Sequence, residues 1–211
     1  EGDRWCAMAT ALSSPQARVQ SAPRPSPCPP IAARPDKLSV TQIKTLVRDP
    51  FAIYARKTLR LHPLDPLVPT VDAPLRGTIV HGILERFIRA GLGPDDRDAL
   101  MQIASEEFTT HCPWPTIRAQ WMARMDRSAD QFLADEAARQ ALAADHKIEA
   151  YGEIVVAPSG VLLTCKADRI DLIETGSALI YDYKTGAVPT KNQQLTFDKQ
   201  LLLEAAMVEL G

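Results

Sequence analysis

The chain has 211 residues, 45% of them apolar, which is enough for one domain of ordinary size with a core of its own and a tail. Its 24 basic and 26 acidic residues leave a formal charge of -2, which argues against a polybasic binder that holds nucleic acid by a large positive field. Cys6, Cys28, Cys112 and Cys165 are widely spaced and form no C-x-x-C pair, so neither a zinc ribbon nor a disulfide framework is suggested, and a reducing cytoplasm fits best.

No apolar run approaches the roughly 20 residues needed to span a bilayer, and Glu1 to Ala11 has neither the basic region nor the long apolar stretch of a secretion signal. The first residue is not Met and the sequence ends abruptly at Gly211, so a piece of a longer protein is expected. From Pro15 to Pro35 the composition is too rich in proline to build a core, and residues 1–37 are expected to be a disordered linker.

Order is expected from Leu38, with Ser39 or Thr41 capping a short helix and Asp49-Pro50 breaking it before a second apolar stretch. Ile79, Val80, Ile83, Leu84, Phe87 and Ile88 then recur at the spacing of an amphipathic helix. One or two further helices are expected from about Asp96 to Ala144, with Trp114, Ile117, Trp121, Met125 and Phe132 as a core stripe. After Lys147, the runs YGEIVVA, VLLTCKADRIDLIE and ALIYDYKT are divided by Pro158-Ser159-Gly160 and Thr175-Gly176-Ser177, and predict three successive strands. A last helix is expected over about Gln194 to Leu210, and no glycine-rich phosphate loop is present.

The chemistry concentrates in Asp182-Tyr183-Lys184. Side chains at i and i+2 of a strand share a face, so Asp182 stands beside Lys184 while Tyr181 and Tyr183 point away. A lone pair of this kind is ordinarily a solvated ion pair. Here the hairpin turn near Gly176 would return Asp168 towards Asp182, and converging carboxylates need a cation or a proton between them. Oxygen ligands of this kind suit Mg2+ or Mn2+. Asp171 should face the other side of its strand, as a structural group pairing with an arginine. On the amphipathic helix His81 and Glu85 share a face one turn apart; a histidine so placed is usually a satisfied helix residue, and its surroundings give it interest.

Gly77-Thr78-Ile79-Val80-His81 with Leu84-Glu85, Ala167-Asp168-Arg169-Ile170-Asp171, Asp182-Tyr183-Lys184-Thr185-Gly186 and Gln200-Leu201 together resemble the ordered motifs of the RecB-type PD-(D/E)XK nucleases. Leu38-Ser39-Val40-Thr41 and the phrase from Asp49-Pro50-Phe51 to Arg56 are similar to the C-terminal nuclease domain of AddB-like subunits of helicase–nucleases. The resemblance covers 38–211 and implies an α/β, restriction-endonuclease-like core of helix, three-stranded meander and helix. An additional helical region would accompany that core, and its final strand would be missing from a C-terminally truncated domain. It implies Mg2+ or Mn2+ held by His81, Asp168, Asp182 and the Tyr183 carbonyl. Lys184 would act on the attacking water or the phosphate, with Gln200 as an accessory group.

What the resemblance implies for function is a metal-dependent DNA nuclease, an exonuclease acting in double-strand break repair, with DNA and an AddA-like helicase–nuclease subunit as partners and no membrane. Two departures stand out. Asp49 occupies a position where many AddB relatives carry a cluster-binding cysteine, so no iron–sulfur cluster is expected. Glu204 stands where the family often has a tyrosine, which weakens the role of Gln200. Two other classes compete: an inactive DNA-binding or scaffolding module of the same fold, against which Asp168, Asp182 and Lys184 are all present, and a scaffold with chance spacing, which leaves the ordered motifs unexplained.

Overall fold

The computed structural model describes residues 1–14, 20–64, 67 and 71–210. Within the segment expected to be disordered, Gly2–Ser13 forms a helix, α1, which buries none of its residues. Positions 15–19 of that segment, like Gly211, lie outside the described residues. Lys37–Ser39 forms a strand, β1, which starts one residue before the expected onset of order at Leu38. Its partner lies far along the chain, so no local pattern announces it.

Ser39 then caps α2 (Val40–Arg48) through a reciprocal box with Gln42. Asp49 ends that helix and caps the next, α3 (Pro50–Ile53), with Pro50 in the first turn, where its missing N–H costs nothing. Asp72 caps α4 (Ala73–Arg89) by accepting from Leu75 N–H at 2.8 Å. Gly91, at φ 68°, takes the left-handed turn that follows it.

The expected helical region resolves into α5 (Arg97–His111) and α6 (Pro115–Leu142). Ile79, Ile83, Leu84, Phe87 and Ile88 of α4 pack with Leu100, Ile103 and Phe108 of α5 and with Trp121, Met125, Ala129 and Leu133 of α6. Trp114, Ile117, Phe132 and Val80 are only partly buried, at the margin of this core.

Three antiparallel strands follow: β2 (Asp145–Val156), β3 (Val161–Leu172) and β4 (Ala178–Tyr181). β2 begins well before the expected Tyr151, because its charged first half lacks alternation. β4 stops short of Asp182, which the sequence placed within the strand. β1 and β4 share one edge of β3, β1 parallel to Leu162–Thr164 and β4 antiparallel to Arg169–Leu172, with β2 on the other edge. Between those two neighbours the edge of β3 opens, and Asp168 lies in the opening.

The expected last helix is two, α7 (Lys191–Thr196) and α8 (Gln200–Leu210). Val40, Leu163 and Met207 join α2, β3 and α8 in a second small core. Leu201, Leu202 and Val208 of α8 are exposed, and the buried side chains of this helix are Glu204 and Met207. The result is a mixed α/β architecture of the restriction-endonuclease-like kind, a four-stranded sheet with helices.

A charged cluster locks α6 to the sheet. Arg169 is fully buried between Glu136 of α6 and Asp171, its neighbour two residues on, and donates to both carboxylates. The sequence assigned Asp171 to structure and to an arginine, and this is its arginine. Removing one partner of a buried pair strands the other charge in a low dielectric, a loss of about 3–5 kcal/mol. Glu136→Ala is therefore expected to lower unfolding free energy by about that amount in denaturant titration. A loss below about 1 kcal/mol would mean that water reaches Arg169.

Candidate metal centre

Strand register builds the site. The β2–β3 pairs Ile148↔Arg169 and Ala150↔Ala167 put Glu149 opposite Asp168. Extending the β3–β4 register one residue past Arg169↔Tyr181 puts Asp182 opposite Asp168 from the other side. Three carboxylates thus lie in a row across neighbouring strands, where like charges repel.

Each carboxylate has its own cation. Lys166 pairs with Glu149. His81 of α4 approaches Asp168, Nδ1 to Oδ1 at 3.2 Å. Lys184 lies 2.6 Å from one oxygen of Asp182 and 2.7 Å from the other.

The centre is Asp168. Its second oxygen accepts from the Tyr183 N–H at 2.7 Å, so a side chain takes over from the ladder where β4 ends. Burial raises the affinity of Asp168 for a proton, but the hydrogen bonds from His81 and the Tyr183 N–H, with the charges of His81 and Lys184, outweigh it and hold this carboxyl below the usual range. The same contact with Asp168 raises His81, against the effect of burial and with support from the Tyr183 main chain and Asp182.

Tyr183 itself turns away from the row, edge-on to Phe132 of α6 with ring centroids 6.4 Å apart. That anchorage fixes the chain between Asp182 and Lys184.

Glu149 escaped the sequence reading. Its backbone is left-handed, φ 55°, inside a strand, a conformation that costs a non-glycine residue about 1–3 kcal/mol and is retained where something else demands it. Ligand atoms of His81, Glu149 and Asp168 lie within 4.8 Å of one another. Counting back from the Pro158 turn would have found Glu149, had the start of β2 been recognised.

The other sequence-predicted residues form an adjoining group. Gln200, the first residue of α8, donates to Asp182 at 3.1 Å and sits 3.2 Å from Glu204. Glu204, read as a departure that weakens Gln200, therefore contacts it directly. Asp182 is turned to Lys184 and Gln200, outside the cluster of His81, Glu149 and Asp168. The donors around a shared point, the imidazole of His81 and the carboxylates of Glu149 and Asp168, suit a hard divalent cation such as Mg2+ or Mn2+.

The sequence profile of the PD-(D/E)XK nuclease superfamily matches residues 37–211. The chain belongs to this superfamily. It is 29% identical over 180 residues to an uncharacterized protein of Rickettsia bellii and 29% identical over 190 residues to one of Rickettsia felis. In both cases 82% of this chain is covered, while the chain spans 22% of the relative's length. Membership carries hydrolytic nuclease chemistry as the general activity, and nucleases of this superfamily generally use Mg2+ or Mn2+. Among the described residues, no helix is long and apolar enough to cross a membrane.

Glu204 offers a test of the electrostatics. It is 1% exposed, and burial together with the charges of Asp182 and Asp168 raises its affinity for a proton. A carboxyl raised in the folded state costs stability while charged, and the cost is relieved as pH falls through the folded value. Glu204→Gln is expected to melt higher than the parent at neutral and alkaline pH, with the advantage shrinking on acidification. Melting curves across pH decide, and a constant difference would mean that folding does not raise the proton affinity of Glu204.

Proposed function

We propose that residues 38–211 are a Mg2+- or Mn2+-dependent DNA exonuclease module, acting within an AddB-like subunit of a double-strand break repair helicase–nuclease. The observation that carries the hydrolytic reading is the carboxylate row, in which Glu149, Asp168 and Asp182 each need a counter-charge and lie beside His81 and Lys184. Structural ion pairs do not ordinarily line three carboxylates side by side.

In this reading His81, Asp168, Asp182 and the Tyr183 carbonyl hold the cation, with Glu149 in reach. A cation bound there would supply an activated water and neutralise charge at the phosphate. Lys184, once its hold on Asp182 is shared, presents its ammonium to the non-bridging phosphate oxygens or orients the water, where developing charge is stabilised most. Gln200 keeps Asp182 Oδ1 in place. The intact set of Asp168, Asp182 and Lys184 supports catalysis over an inactive DNA-binding or scaffolding module.

The AddB-like assignment rests on the Leu38–Thr41 and Asp49–Arg56 segments, and on relatives long enough to carry a motor beside the nuclease. It brings with it an AddA-like partner subunit and a cytoplasmic location, which the free cysteines suit. No iron–sulfur cluster enters the reading, since Asp49 serves as a helix cap.

Asp182→Ala and Lys184→Ala are each expected to slow DNA hydrolysis at least about a hundredfold, with little change in melting temperature. EDTA is expected to stop cutting, and Mg2+ or Mn2+ to restore it. Full cleavage in EDTA, or by either variant, would remove the active-site assignment.

A further inference from the structure

Asp182 and Lys184 lie past the end of β4, so side chains and not ladder hydrogen bonds set the path of the segment 182–184. Tyr183 is the residue on which they act. Its N–H donates to Asp168 at 2.7 Å, and its ring stands edge-on to Phe132 of α6 and, at 6.5 Å between centroids, to the imidazole of His81. Asp182 and Lys184 flank it in the chain, so a turn of this one residue would displace both.

What holds the ring comes largely from α6. Phe132, Glu136 and Arg139 recur at the i, i+4, i+7 spacing of one helix face. Arg139 places its guanidinium 4.9 Å from the ring centre of Tyr181 and 5.8 Å from that of Tyr183. One planar cation thus bridges the two rings on either side of Asp182.

For stability alone Arg139 is a poor choice. Its side chain is 17% exposed, its carboxylate contacts are long, 3.6 Å to Glu136 and 3.8 Å to Asp135, and its Nη1 is buried with no hydrogen-bond partner among the described residues. Glu136 is already engaged by Arg169. The Tyr183 hydroxyl is likewise buried without a partner; burial raises its proton affinity, and the guanidinium groups of Arg169 and Arg139 work against that. A buried donor left unpaired costs stability, and an aliphatic side chain would fill the same place without that cost. A flat guanidinium does what an aliphatic chain cannot, since it is attracted to both ring faces and fixes their separation and tilt.

We propose that Arg139 is a positioning residue for hydrolysis: by bridging Tyr181 and Tyr183 from α6 it fixes the turn of the segment 182–184, and with it the place of the Lys184 ammonium relative to Asp168. This rests on the nuclease reading above and adds to it a residue outside the carboxylate row.

The test compares Arg139→Ala and Arg139→Lys with the parent chain. In Mg2+, both variants are expected to lower kcat on a DNA oligonucleotide at least about tenfold with little change in KM or melting temperature, because a small misplacement of an aligned group slows the chemical step. Lysine keeps the charge but lacks the flat face, so it is not expected to substitute. A second readout needs no cutting. In EDTA, acetylation of lysine amines, followed residue by residue by mass spectrometry, is expected to be several-fold faster at Lys184 in both variants than in the parent, and equal at the exposed Lys57.

Should Arg139→Ala fail to fold, Arg139→Lys carries both readouts. Unchanged kcat in Arg139→Ala, full activity in Arg139→Lys, or equal acetylation of Lys184 would overturn the positioning role while leaving the nuclease reading intact. A parent chain that cuts no DNA in Mg2+ or Mn2+ would overturn the nuclease reading, and the acetylation of Lys184 would still report on Arg139.

Discussion

Three carboxylates side by side across one sheet are the constraint around which this domain is arranged. Left alone, Glu149, Asp168 and Asp182 would push their strands apart. The chain answers with Lys166, His81 and Lys184, two of them from the strand region itself and one from α4. The answer is only adequate, because lysine and histidine can be drawn away, and a divalent cation would compete for the same oxygens. A fold that merely needed stability would have filled these positions with apolar side chains or neutral amides.

Beneath the exchangeable charges lies a fixed set. Arg169 alternates with Asp168 along β3, so the residue after the central carboxylate points to the opposite side and is enclosed by Glu136 and Asp171. Tyr183 does the same for the Asp182–Lys184 segment, and Arg139 of α6 stacks over both Tyr181 and Tyr183, at 4.9 and 5.8 Å from their ring centres. Strand alternation thus divides each motif into a reactive half and an anchored half. Arginine suits the anchored half because its guanidinium stays charged and can serve two carboxylates at once.

Much of this was legible in the sequence, and the limits follow from range. Helix α4 and its buried face could be read because helical spacing is local, and Asp49-Pro50 marked its helix boundary by chemistry that acts within a few residues. The partnership of Asp168 with Asp182 followed from a short hairpin. Strand β1 could not be read, since a three-residue strand gains its meaning from a parallel partner far along the chain. Glu149 was hidden behind the misplaced start of β2, and the burial of Glu204 beside Gln200 runs contrary to the ordinary habit of glutamate. The ordered motifs carried the superfamily, whereas the particular kind of nuclease depends on short segments around α2 and α3 that do not touch the chemistry.

The order of the site residues along the chain has a consequence during synthesis. His81 leaves the ribosome early, the carboxylates of β2 and β3 follow, and Asp182, Lys184 and Gln200 come later still. Synthesis runs from the N-terminus, so helices α4 to α6 are complete before the residues that finish the candidate centre have been made. The candidate centre is thereby completed only once the strands have closed around Asp168.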